Sequence, residues 1–191
     1  MKLKQILAVI VCISIVGLYS CGNTQSGTAS TEEQNKEICK KIFEAFDQNN
    51  TAVMDELVAE NVVEHTPDPS MGDVQGLEGL KKVMNTYHNA FPDMKSTILN
   101  IVADGDMVVI HYTMEGTNTG SMGDMPATGK AIDVNGVDVI KITDGKATDH
   151  WGYVQEAKMM QQLGMMPSEE SMMEDMASKE EGMNNEMENK K

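Results

Sequence analysis

Apolar residues recur with a helical period in the first half of the chain and alternate with polar ones in the second. Residues 32–48, EEQNKEICKKIFEAFDQ, place Ile38, Ile42, Ala45 and Phe46 on one stripe and predict a helix. Thr31 is its expected N-cap, with Glu32 and Glu33 in the first turn. TAVMDELVAE, from Thr51, predicts a short helix that stops before Asn61, and Pro67, Pro69 and Gly72 then force an irregular loop. LEGLKKVMNTYHNAF repeats apolar residues at Leu77, Leu80, Met84, Tyr87 and Phe91, a third helix that Pro92 ends.

From Met94 the period becomes two. STILNIVADGD runs as a strand into a turn at Asp104-Gly105. MVVIHYTMEG sets Val108, Ile110, Tyr112 and Met114 against Val109, His111, Thr113 and Glu115. KAIDVNGVDVIKI is a long strand in which Gly136 suggests a bulge or bend, and GKATDHWGYV follows a turn at Asp144-Gly145. QEAKMMQQLG closes as a helix capped by Gly164. Helices first and meandering strands afterwards predict an α+β domain over residues 32–164, an antiparallel sheet covered on one face.

The ends differ in kind. Lys2 and Lys4 precede the apolar run Ile6–Leu18, which has signal-peptide length and falls short of the roughly 20 residues of a membrane span. LYSCG then resembles the lipobox of bacterial lipoproteins, which implies a signal peptide over 1–20 and lipidation of Cys21. The expected location is the cell envelope, anchored to a bacterial membrane through Cys21. Residues 21–31 read as a flexible tether, and 165–191 as an acidic, Met-rich tail without apolar periodicity. With Cys12 in the leader and Cys21 modified, Cys39 has no partner in the chain and reads as a buried small hydrophobe.

The formal charge is −15, and all fifteen basic residues are lysines. A chain this acidic repels phosphate backbones and lacks the guanidinium fork that clamps phosphate, so nucleic-acid partners are excluded. The four histidines are dispersed without an H-x-x-x-H pair, so no metal site is expected.

FPDM at a helix end, VADGDMVVIHYTMEGTNTG, PATGK and ITDGKATDHWGYVQEAKMMQQLG together resemble the SnoaL-like polyketide cyclases, or ester cyclases, of the NTF2-like superfamily. The resemblance covers roughly residues 35–164. It implies a cone, a curved antiparallel sheet wrapped around helices with an apolar pocket at its open end. It also implies cofactor-free chemistry on a small apolar or carbonyl-containing ligand, with a last-strand carboxylate taking a proton from carbon beside a carbonyl. A homodimer through the outer sheet face is expected on the same ground. The family's T-H-x-G is here Thr117-Asn118-Thr119-Gly120, so one rim imidazole is missing.

The position matching the carboxylate is Asp149. Strict alternation puts Ala147, Asp149 and Trp151 on one face and Thr148 and His150 on the other, so an inward Trp151 would carry Asp149 inward with it. Asp149 is then either the catalytic base or a structural carboxylate at the sheet edge. His65, in EHTPDP, matches a pocket histidine of the family and is the second catalytic candidate. Trp151, Tyr112, Tyr87 and Asn118 are the candidate substrate-binding residues. A non-catalytic binding module built on the same cone is the competing reading.

Overall fold

A computed structural model describes residues 24–67, 71, 72 and 74–167, together with 171, 173, 176, 178 and 179. The expected signal peptide, Cys21 and most of the acidic tail lie outside the described residues. The elements are α1 (Thr24–Asp47), α2 (Thr51–Leu57), β1 (Val58–Glu64), α3 (Gly76–Ala90), β2 (Lys95–Asp104), β3 (Met107–Thr117), β4 (Ala131–Thr143), β5 (Lys146–Val154) and α4 (Glu156–Leu163).

The strands form one sheet in the order β1-β5-β4-β3-β2. The α+β architecture expected from the period change is present, with one correction. β1 pairs parallel to β5, so the sheet is mixed. The helix expected over TAVMDELVAE ends at Leu57, and the chain passes straight into β1, where a loop was expected from Asn61. No turn residue separates the two elements. Val58, Val62 and Val63 are β-branched, and burial of Val58 and Val62 against the core decides for strand.

Helix α1 starts at Thr24, so Thr31 is not its cap and the tether expected over 21–31 is helical from Thr24 onward. A helix already nucleated by packing extends at little cost, which residues 24–30 exploit. Cys39, Ile42 and Ala45 form its buried stripe. Asn35 Nδ2 donates to the Gly105 carbonyl at 3.0 Å, tying the helix to the β2–β3 turn. At the other end Asp47 accepts from Ser96 N and Oγ, each at 2.8 Å.

The β4–β5 connection is a two-residue turn with positive φ at Asp144 (51°) and Gly145 (78°), as the Asp-Gly pair predicts. Gly136 causes no bulge; it stays in register opposite Tyr112. A Cβ there would lie 2.4 Å from Tyr112 Cζ, so the glycine clears space for that ring. The bulge falls in β5 instead. Ile142 pairs with Ala147 but Lys141 pairs with Asp149, so Thr148 is the extra residue.

A cavity ending in a carboxylate–imidazolium chain

The inner sheet face and helices α1, α2 and α3 enclose a cavity of about 220 Å³. Its walls are apolar, with Phe43, Phe46, Met54, Leu80 and Ile140 among them. Even-numbered residues of β4 point inward: Ile132, Val134, Gly136, Ile140 and Ile142 are core, and Asp138 shares their face. The bulge at Thr148 inverts the alternation of β5. Ala147 is buried before it; His150, Gly152 and Val154 line the cavity after it.

His150 therefore sits between two carboxylates. Its Nδ1 is hydrogen-bonded to Glu64 Oε2, and its Nε2 lies 3.3 Å from Asp138 Oδ2. The Tyr112 hydroxyl donates to Asp138 Oδ1 at 3.1 Å. Glu64 Oε1 accepts from Thr66 N (2.8 Å) and Thr66 Oγ1 (3.0 Å), and Gly152 N donates to Thr66 Oγ1 at 2.7 Å. Gln75 fixes the β1 end that carries Glu64: its Oε1 accepts from Glu64 N at 3.1 Å, and its Nε2 donates to Glu64 O at 2.8 Å. Gly152 has its own part, since a Cβ there would come within 2.9 Å of His150 Cε1.

The electrostatics follow from these contacts. Burial opposes charge on His150, but hydrogen bonds and charges from Asp138 and Glu64 outweigh it and raise its pKa to about 10. At neutral pH it is an imidazolium. Burial also opposes ionisation of Glu64, yet the His150 hydrogen bond and charge, with the Thr66 donors, hold its pKa below the ordinary value. Burial and the nearby Asp138 charge push the Tyr112 phenol well up, so it stays a neutral donor. The Cys39 thiol, buried as expected, is raised to about 12 by burial and by Asp138, and is no nucleophile.

Asp149 and His65, expected at the pocket, lie on the opposite sheet face. His65 Nε2 is 2.9 Å from Asp149 Oδ1, and the His65 ring stacks on Trp151 at 4.1 Å between centroids, 3° from parallel. The His65 hydrogen bond lowers the Asp149 pKa. The reason is the bulge: one extra residue turns Asp149 and Trp151 outward and His150 inward. Asn118 is a structural pin, 2 % exposed. It donates to Ala90 O and Gly120 O and accepts from Thr128 N and Oγ1. Tyr87 and Tyr112 do line the cavity. Among the described residues, no group of three or more metal-ligating side chains is placed to hold an ion.

Sequence reasoning missed Asp138 and Glu64. Asp138 was findable, since it falls in phase with the apolar set of its strand; Glu64 was hidden by the unrecognised β1.

A family model described as SnoaL-like polyketide cyclase matches residues 36–163. Among solved structures, TsrD of Streptomyces laurentii shares 21 % identity at a TM-score of 0.64, covering 70 % of this chain and 97 % of its own; it speaks for the fold alone. IdmH of Streptomyces antibioticus, a candidate polyketide cyclase, shares 26 % at 0.61, covering 69 % and 99 %. A candidate polyketide cyclase of Acidithiobacillus ferrooxidans shares 29 % at 0.60, covering 69 % and 95 %. No curated protein matches the sequence.

Proposed function

Because the chain belongs to the SnoaL-like polyketide cyclase family, we propose that it is a cofactor-independent enzyme that abstracts a proton from a small apolar carbonyl compound, leading to aldol-type cyclisation or isomerisation. The observation that carries this reading is the Glu64–His150–Asp138 chain at one end of a cavity whose other walls are mostly apolar. Buried ionised groups cost several kcal/mol unless fully compensated, and a plain apolar binding pocket has no use for them. Asp138 is the base. Its two contacts, at 3.1 and 3.3 Å, are long for a carboxylate, and neither comes from backbone. The carbon-bound proton passes to an Asp138 oxygen and leaves an enolate. Once Asp138 has taken the proton and lost its charge, the Tyr112 hydroxyl and the His150 Nε2–H that it held are released to stabilise the charge on the enolate oxygen. Glu64 positions the imidazolium and keeps it charged.

The test is deuterium incorporation from solvent into ethyl butyrylacetate, followed by NMR, with wild type and Asp138→Asn. The variant should keep the fold and lose about a hundredfold or more of the exchange rate, as for a removed general base. Equal rates would sink the assignment. If wild type accelerates no exchange of any carbonyl compound yet retains a small molecule through purification, the chain is a binding module.

We also propose that the enzyme sits in the cell envelope. The apolar run Ile6–Leu18 followed by LYSC supports acylation of Cys21. Cys21→Ser should shift the protein from the membrane to the soluble fraction; a wild type that fractionates as soluble argues against an anchor. Exposed Val63, Val102, Val109, Val137 and Tyr153 support a homodimer, which light scattering would detect.

A further inference from the structure

We infer that the cavity selects its substrate by charge: it takes apolar carbonyl compounds that are neutral or carry a protonated amine, and rejects those bearing a carboxylate or phosphate. The inference rests on the reading of this cavity as the substrate site, and names the class of molecule that enters it.

Three observations converge. First, the acidic groups lining the cavity are Glu64 and Asp138, with Glu156, itself exposed, as a third, against one imidazole, His150; among the described lining residues there is no lysine. The site is therefore net negative even with His150 charged. Second, the donors near its polar end are already committed. Both imidazole nitrogens face carboxylates, Thr66 N and Oγ1 serve Glu64, the Tyr112 hydroxyl serves Asp138, and Gly152 N serves Thr66. An entering carboxylate would find like charge there, and none of these donors is free to receive it. An ammonium would find spare lone pairs on Asp138 and Glu64, and Glu156 besides. Third, the walls are aromatic and aliphatic, with Phe43, Phe46, Met54 and Ile140 facing the space, so little polar material screens the carboxylates.

This differs from what charge on the outer surface could do. A chain of net charge −15 slows the approach of any anion, but that effect fades with added salt. A bias set by buried groups persists.

The experiment is calorimetric titration of the purified full chain at pH 7.5 with octylamine, methyl hexyl ketone and octanoate, matched in length, at low and high salt. Octylamine and the ketone should bind at least tenfold more tightly than octanoate, and the ratio should survive high salt. Octanoate binding as tightly as the ketone overturns the inference, as does a preference that vanishes with salt or a failure of all three to bind. The exchange rates of Asp138→Asn keep the two readings apart. Rejection of octanoate with undiminished exchange in the variant leaves a charge-selective pocket and removes the proposed base. Loss of exchange with equal octanoate binding does the reverse.

Discussion

Charge on His150 ties folding to pH in a direction that can be worked out. Its pKa is about 10 in the folded chain and near 6.5 when unfolded. A group whose pKa rises on folding contributes stability that is fully present below the unfolded value and disappears as pH climbs through the folded one. The window therefore runs from about pH 6.5 to about pH 10. One proton held only by the native state changes stability by about 1.4 kcal/mol per pH unit, so the whole window is worth at most about 5 kcal/mol. The working expectation is about 2–4 kcal/mol, because the unfolded chain keeps some attraction between the same charges. Urea unfolding of wild type and His150→Gln at pH 6.5, 7.5, 8.5 and 9.5 measures it. Wild type should weaken steadily across the series. The variant should start lower, because Glu64 and Asp138 lose their counter-charge, and should fall much less. Groups other than His150 are common to both proteins and cancel in the difference. Parallel curves would refute the imidazolium assignment, and so would a wild type as stable at pH 9.5 as at 6.5.

Gly136→Ala should destabilise by about 2–4 kcal/mol in chemical unfolding, since its methyl group would overlap the Tyr112 ring; a neutral result would mean that the ring moves freely. Asn118→Ala should cost about 2–4 kcal/mol, because two carbonyls and the Thr128 donors lose their shared partner, and a loss under about 0.5 kcal/mol would show that the loop holds without it. Asp149→Asn should change the midpoint by less than about 1 kcal/mol and leave exchange kinetics at the wild-type rate, since its partner His65 sits on the outer face; a large activity loss would reinstate Asp149 as the base.

Most of the architecture was legible from periodicity. Val108, Ile110, Tyr112 and Met114 are buried as their alternation requires, and the Asp144-Gly145 turn and the Gly164 cap form where their residues predict. The site was less legible, for two physical reasons. Period-two reasoning carries face assignments along a strand only while the register is unbroken, and Thr148 breaks it without glycine or proline to mark the place. Trp151 adds to the difficulty: a large aromatic ordinarily argues for the inward face, yet here it stacks on His65 on the outside. The spacing from Ala147 to Gly152 and Val154 carried a hint, since residues with that parity cannot share a face without an insertion. Strand β1 was harder, because VAENVVE mixes both periods and follows α2 with no punctuation.

Trp151 is the chain's only tryptophan, and its indole is stacked against His65 across the sheet from the cavity. Intrinsic fluorescence consequently watches the back of the molecule. Filling the cavity should leave the emission maximum almost where it was, whereas covering the outer sheet should shift it to the blue. A silent fluorescence titration therefore says nothing against ligand binding, and a responsive one points to a second protein surface arriving on the far side.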